Sequence, residues 1–259
     1  MKKVLLSLAV IAFVAAVAIG ATTAYFSDTE TSTGNTFTAG AIDLKVDYEG
    51  YFNKRVDGDP NAGQWRLTDL TNEKFFNFAD LKPGDYGEGT ISLHVYDNNA
   101  WGCMTVTPVK NDDMSSTEPE LAEPGETQED PSNLNDGELA QALTGTIWAD
   151  VCTPEINDEY PNARPGDNIY QPDCDNLIGT GIAPTRTVTL PLADANGNVF
   201  TGAGPLIGSN NYYLGVSWSL PWTTGNIVQS DSYVSDISFY TEQARNNDRF
   251  LCSPQSQPE

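Results

Sequence analysis

The chain has little positive charge and almost no histidine. Lysine and arginine together number 13 among 259 residues, and His94 is the single histidine. Aspartate and glutamate number 36, which leaves a formal net charge of −23. Nucleic-acid binding needs clustered basic side chains, and the sequence has no such cluster. DNA and RNA are therefore excluded as partners, and surroundings that contain divalent cations suit so acidic a chain.

The motifs of several common enzyme classes are also missing. The sequence contains no GxSxG, no HExxH, no P-loop and no GxGxxG ahead of a predicted helix. No cysteine pair has CxxC spacing, and a single histidine is too few for the usual zinc sites. His94 lies on the polar face of a predicted strand, where a surface role is the ordinary one. We therefore predict no catalytic residue and no enzyme activity.

Long apolar runs are absent except at the N-terminus. An apolar run at 4–19 follows two lysines and leads into a patch of small residues at 21–24. That order is typical of a secretory signal peptide, and the run is shorter than the ~20 residues of a membrane span. We predict a signal peptide at 1–24, cut between Ala24 and Tyr25, with an uncleaved anchor as the alternative. The protein is then secreted, and it touches the membrane only before cleavage.

Strand patterns occupy most of the remaining sequence. Glycine, proline, asparagine and aspartate are abundant, and helical periodicity is scarce, which favours strands and turns. In several windows the apolar residues take every second position, so they lie on one face of a sheet. These windows are Ile42 to Val46, Ile91 to Val95, Ile147 to Val151, Val188 to Leu192, Tyr212 to Trp218, and Ile237 with Phe239. They predict an all-β antiparallel sandwich.

One segment lacks strand periodicity. Residues 111–137 are acidic and proline-rich, which predicts an exposed loop or mobile insertion. Behind it, residues 137–143 carry apolar side chains at helical spacing, which predicts one short amphipathic helix. Asn135 or Asp136 is the expected N-cap of that helix.

Four cysteines in an exported chain are expected to form disulfides, and four allow three pairings. Cys152 and Cys174 flank a polar loop, so a local bond between them is the favoured choice. That choice pairs Cys103 with Cys252 and ties a strand to the C-terminal tail.

An oxygen-rich loop is a candidate calcium site. Asp57, Asp59 and Asn61 supply side-chain oxygens at alternate positions, and calcium takes six to eight oxygen ligands. A second loop, 194–198, has similar composition but is better explained as an Asn-Gly hairpin turn. Neither loop has the pattern of an EF-hand. Calcium is thus a possible structural ligand, and no other cofactor is expected.

The five tryptophans leave carbohydrate binding open. Exposed aromatic rings in β-sandwich modules stack on sugars, whereas rings in alternating strands are more often packed in the protein. The tryptophans are Trp65, Trp101, Trp148, Trp218 and Trp222.

The segment behind the apolar run resembles one family specifically. Residues 24–28 (AYFSD), 34–40 (GNTFTAG) and 42–44 (IDL) are similar to the TasA/camelysin family of secreted proteins, whose signal peptides are cut by the signal peptidase SipW. The loop at 81–85 (LKPGD) extends the resemblance, and 233–245 resembles the family more weakly.

The resemblance implies a jelly-roll β-sandwich that polymerises head to tail into an extracellular fibre at the cell surface or in a matrix. The N-terminal strand of one subunit then completes a sheet of the next, which is β-augmentation. Here the donor strand would be 25–37, with Tyr25, Phe26 and Phe37 as its anchors, and the partners would be further copies of this chain and the signal peptidase during export.

The implied domain scheme has a single folded unit. Its parts are the signal peptide 1–24, the donor-strand candidate 25–37, the sandwich 38–252 with an acidic loop insertion at 111–137 and a disulfide-stapled insertion at 152–185, and the tail 253–259. Two alternatives to the fibre subunit remain. One is a secreted metallopeptidase of the camelysin type, although the missing zinc-protease pattern weighs against it. The other is a carbohydrate- or calcium-binding surface module.

Overall fold

The computed structural model of the chain describes residues 29–32, 35–38, 43–53, 64–69, 73–76, 78 and 80–252. These residues form an all-β sandwich, as the alternating sequence windows predict. Its twelve described strands are β1 Thr29–Ser32, β2 Asn35–Thr38, β3 Leu44–Phe52, β4 Gln64–Thr68, β5 Tyr86–Val95, β6 Ala100–Asp113, β7 Thr144–Ala149, β8 Asn176–Thr180, β9 Val188–Asp194, β10 Gly197–Asn198, β11 Asn210–Ser219 and β12 Asp231–Gln243.

The strands are divided between two six-stranded sheets. The first sheet has the order β1-β2-β12-β6-β9-β10, and the second has the order β4-β3-β5-β11-β7-β8. The chain changes sheets between β2 and β3, β5 and β6, β6 and β7, β8 and β9, β10 and β11, and β11 and β12. Both sheets are therefore built from early and late parts of the sequence, and neither half can close the sandwich by itself.

The inner faces of the two sheets share one core. Alternate residues of β5 and β11, such as Ile91 and Leu214, are fully buried in it. Phe75 joins the sheets, because its ring packs edge-on against Tyr48 of β3 at 5.5 Å and against Phe239 of β12 at 6.3 Å. The period-2 pattern of the sequence thus identified the core face correctly.

One pairing departs from the antiparallel rule. β2 runs parallel to β12, with Asn35 opposite Ile237 and Thr38 opposite Tyr240, while β1 and β2 form an antiparallel hairpin. Every other strand pair in the described residues is antiparallel. A parallel partner cannot be supplied by a tight turn, so β2 reaches β12 from the opposite end of the sequence.

The disulfide-stapled insertion covers the outer face of the second sheet. Alternation along β7 turns Ile147 and Ala149 into the core and Trp148 to the other face, yet Trp148 is only 1% exposed. Its ring lies 5.4 Å from that of Tyr170, which belongs to the insertion. The insertion expected at 152–185 also contains β8, which pairs with β7. It is therefore a packed layer and not only a loop.

The described residues contain two short α-helices, where the sequence predicted one. α1 is Glu118–Leu121, inside the acidic segment, and α2 is Leu139–Ala142, inside the predicted helical window. The expected caps of α2 were wrong: its first N–H groups, those of Glu138 and Leu139, donate to the carboxylate of Asp231, at 2.6 and 2.7 Å. A cap from a distant strand leaves no local signal. No described helix has both the length and the apolar character that crossing a membrane requires.

The acidic segment is folded against the sandwich. It begins after Asp113 and not at Asn111, because β6 continues to Asp113 in register with β12. Asn111 anchors its far end: the side-chain amide donates to the carbonyl of Gly137 and to Gln141, and its oxygen accepts the N–H of Ala140. Polar anchors of this kind have no apolar periodicity, which is why the sequence pattern suggested a mobile loop.

Candidate functional site

The outer edge of β12 is the surface on which the N-terminal strands lie. β12 pairs with β6 over the whole length Asp231–Gln243, but β2 covers only Ile237 to Tyr240 on the other side. Edge strands with unpaired backbone groups are templates for a further strand. In the described residues, β2 thus forms a four-residue ladder on the side of β12 that faces away from β6.

The predicted donor strand has a different local structure from a single extended arm. It contains the β1–β2 hairpin, and β2 pairs with β12 of the same chain. Phe37 lies in β2 as the register partner of Phe239. The proposed cleavage residues Ala24 and Tyr25, and the proposed anchor Phe26, lie outside the described residues.

Both disulfide pairings expected from the sequence are present, Cys103 with Cys252 and Cys152 with Cys174. Cys103 is in β6, so its bond holds the C-terminal segment against the first sheet. The N–H of Cys252 also donates to Asp194 at 3.2 Å. The C-terminal end of the described chain is thus fixed covalently beside the β6–β12 pair.

The second disulfide lies beside a buried network of hydrogen bonds. The carboxylate of Asp175 accepts the N–H groups of Val151 and Cys152, both at 2.9 Å, and that of Gln171 at 2.8 Å. Burial and the nearby negative charge of Asp175 raise the pKa of Asp150 to about 7. These contacts fix the insertion on the sheet.

Three carboxylates come together from the end of β6, the start of β12 and α1. Asp113, Glu120 and Asp231 each place one oxygen within 4.8 Å of the others. Asp113 is 3% exposed and Glu120 is 1% exposed. Asp113 and Asp231 are register partners, so the sheet itself sets their spacing.

Each of these carboxylates uses one oxygen for the fold. Asp231 accepts the start of α2, Glu120 accepts the N–H of Thr117 at 3.2 Å and the hydroxyl of Ser230 at 3.1 Å, and Asp113 accepts the N–H of Ser115 at 3.2 Å. The other oxygen of each is buried and receives no hydrogen bond from the described residues. The same is true of one oxygen each of Glu126 and Glu138.

Burial and mutual repulsion raise the pKa values of several carboxylates in this cluster. Burial, followed by the charges of Glu126 and Asp231, raises the pKa of Glu138 to about 7. Burial and the charges of Asp113 and Glu120 raise the pKa of Asp231 to about 6, although two backbone N–H groups favour its ionised form. Burial also raises the pKa of Glu120. Among the described residues, no lysine, arginine or histidine forms an ion pair with any of the five.

Sequence reasoning placed a possible calcium site elsewhere. Asp57, Asp59 and Asn61 lie outside the described residues. The loop at 194–198 is a hairpin turn, as expected, with the N–H of Asn196 bonded to Asp194 at 2.8 Å. The five-carboxylate cluster was missed because its members come from four separate parts of the chain.

His94 is paired with a single carboxylate. Its Nε2 lies 2.9 Å from Asp47 on the neighbouring strand β3. Asp47 also lines a groove with Glu49, Gln64 and Arg66. Within the described chain, the carboxylate cluster is the group of three or more histidine, cysteine, aspartate or glutamate side chains close enough to share a metal, and His94 is not part of it.

Of the four tryptophans whose side chains the structure describes, Trp222 is the one at the surface. It is 83% exposed, whereas Trp101, Trp148 and Trp218 are buried. Its ring lies over Gly84 in the 81–85 loop, where an added Cβ would come within 2.3 Å of it. The side chain of Trp65 lies outside the described residues.

Residues 1–110 match the family described as camelysin metallo-endopeptidase. The match confirms the resemblance to the TasA/camelysin family and ends inside β6. No curated protein is similar enough to the chain to count as a match. Strands β7 to β12 and all five carboxylates of the cluster lie beyond the matched segment.

Proposed function

We propose that this protein, whose residues 1–110 match the camelysin family, is a secreted structural subunit of an extracellular fibre. The subunits would assemble by exchange of their N-terminal strands. The family match over residues 1–110 supports the class of protein. The observation that carries the assembly is the parallel β2–β12 pairing at a sheet edge, made by a segment remote in sequence from its partner.

This pairing can be made equally well within a subunit or between subunits. β2 pairs with β12 through four residues, whereas the β6–β12 ladder spans the full strand. The same backbone bonds form when β2 comes from a neighbouring copy, so the exchange costs no bond and links one subunit to the next. Two disulfides stabilise the rest of the sandwich independently of β2. Release from a signal peptide would free the segment for exchange.

A cross-linking experiment distinguishes the two pairings. Thr36 and Ser238 are register partners, and cysteine at both positions can be joined by mild oxidation. Under conditions where filaments are seen by electron microscopy, we expect a ladder of covalent multimers on a non-reducing gel. The matched control is cysteine at Thr105 and Thr189, register partners in β6 and β9 that always belong to one subunit. That pair should give only cross-linked monomer.

Two results would contradict the proposal. One is cross-linking of Thr36→Cys/Ser238→Cys that stays within the monomer in filament preparations. The other is filament formation that is unchanged when residues 25–38 are deleted. In either case the N-terminal strands belong to their own subunit.

A metallopeptidase is the second candidate, favoured by the description of the matching family and by the groove beside the His94–Asp47 pair. A catalytic zinc ion usually has three protein ligands. At this groove the described residues offer two candidates, the His94–Asp47 pair. Casein hydrolysis that is stopped by a chelator and by His94→Ala, but not by Lys82→Ala, would favour the peptidase.

Retention on polysaccharide that is lost in Trp222→Ala would favour the carbohydrate-binding alternative.

A further inference from the structure

We propose that Asp113, Glu120 and Asp231, completed by Glu126 and Glu138, form a calcium site that fastens the acidic segment to the junction of β6 and β12. The site is independent of the fibre role. All five of its residues lie beyond the segment that matches the camelysin family.

The first support is the geometry of the oxygens. Calcium binds oxygen ligands at about 2.3–2.6 Å, so two ligands of one ion lie no more than roughly 5 Å apart. One carboxylate oxygen each of Asp113, Glu120 and Asp231 lies within 4.8 Å of the other two. They come from a strand end, a helix and a strand start, and thus approach a common point from different directions.

The second support is the state of these oxygens. Asp113 and Glu120 are more than nine-tenths buried, and each directs one oxygen that has no hydrogen-bond donor among the described residues. A buried carboxylate oxygen without a partner is costly, and charged groups cost most. Five such oxygens in one place are far more than a folded protein tolerates by chance.

The arrangement also shows that hydrogen bonding alone does not explain the cluster. The second oxygen of each of the three carboxylates is held by a backbone or side-chain donor, which fixes the direction of the first. Metal ligands are typically oriented by such secondary contacts. Ser230, next to Asp231, holds Glu120 and so links two ligands directly.

The donor set selects the ion. All five groups are carboxylates, which are hard oxygen ligands, and the described cluster contains no histidine or cysteine to favour zinc. Magnesium keeps several waters and demands near-octahedral geometry, whereas calcium accepts many carboxylates in irregular geometry. Millimolar calcium outside cells matches the affinity of extracellular calcium modules, about 10⁻⁴–10⁻³ M.

The ion would connect elements that are distant in sequence. Asp231 begins the strand that accepts β2 and also caps α2, and Glu120 lies in the acidic segment. Calcium would therefore hold the acidic segment on the sandwich and order the first residues of β12.

The test uses the purified protein after treatment with a chelator, titrated calorimetrically with calcium chloride and with magnesium chloride. We expect calcium binding, weaker or no magnesium binding, and a rise in Tm of about 5–10 °C near saturation. Glu120→Gln should lose the binding heat and the rise in Tm. The matched control is Glu118→Gln, which removes the same charge from the exposed side of the same helix and should keep both.

Comparing the stability of each variant with that of the parent protein, with and without calcium, distinguishes lost calcium binding from poor folding. Without calcium, Glu120→Gln and Asp231→Asn should be at least as stable as the parent protein, because each removes a repelling charge. With calcium the order should invert. Calcium binding by Glu120→Gln equal to that of Glu118→Gln, or no calcium binding by the parent protein, would overturn the proposal.

Discussion

Asp113 and Asp231 face each other as the last register pair of the β6–β12 ladder, and each has a buried oxygen that accepts no hydrogen bond from any residue the structure describes. Like charges directly opposite on two strands are destabilising. The pair is retained at the point where the acidic segment leaves the sheet and where β12 begins. A cation bound between these carboxylates would offset their repulsion and hold the two strand ends together.

The carboxylate cluster predicts an unusual pH dependence for the calcium-free protein. The folded-state pKa is raised to about 6 for Asp231 and to about 7 for Glu138 and Asp150. An acid with a raised folded pKa stabilises the fold while it is protonated, and that contribution is lost as pH rises through the folded pKa. We therefore expect Tm in chelator to fall between about pH 4, near the unfolded pKa, and about pH 7.

Calcium should remove the part of this fall that comes from the cluster. The groups that face one another there are Asp113, Glu120, Glu126, Glu138 and Asp231. Ionised carboxylates bind the ion, so calcium binding should tighten and release protons as pH rises from about 5 to 7. Thermal unfolding at several pH values, with and without calcium, measures both effects. A Tm in chelator that rises steadily over this range would contradict the prediction.

Gly215 is predicted to resist substitution. It lies opposite Trp148 in the β11–β7 ladder, and an added Cβ would come within 2.0 Å of the Trp148 ring. Because that ring is held under the stapled insertion, Gly215→Ala should destabilise the protein by about 1–3 kcal/mol. The control is Gly179→Ala in β8, where the nearest atom outside its chain neighbours is 3.8 Å from the added Cβ. Equal denaturant midpoints for the two variants would show that the Trp148 ring can move.

The two disulfides are predicted to differ in their contribution. Their sequence separations are 149 residues for Cys103–Cys252 and 22 for Cys152–Cys174. In the chain-entropy description, the disulfide that closes the longer loop stabilises the folded state by roughly 5 kcal/mol, and the one that closes the shorter loop by roughly 3 kcal/mol. Paired serine variants, compared by denaturant unfolding, should follow this order. A larger loss from removing the shorter loop would indicate that packing of the insertion on Trp148 dominates.

Asn111 is predicted to be a structural anchor of the acidic segment. Asn111→Ala would leave the N–H of Ala140 and the carbonyl of Gly137 without their partner. Buried groups that lose their partners cost about 1–3 kcal/mol each. We expect a loss in that range together with faster proteolysis after Asp113. Asn133→Ala is the control: its side chain is exposed and accepts the N–H of Asn135, so both measurements should change much less.

Several elements were predictable from the sequence for clear physical reasons. Alternation in 91–95 and 212–218 located β5 and β11, because a strand with one buried face must place its apolar side chains two apart. The local disulfide followed from two cysteines that flank a polar loop. The carboxylate cluster could not be found in this way, because acidic residues were common throughout the sequence and four chain segments had to meet.

By itself, the sequence determined what depends on neighbouring residues: which segments are strands, which face of each is apolar, where α2 lies, and the family signature between 24 and 44. The tertiary structure decided what depends on segments far apart. It placed β2 beside β12, closed Trp148 under the insertion, and set Asp113 against Asp231. Local patterns record the burial of each residue, whereas the partner across a sheet is fixed only when the whole sandwich closes.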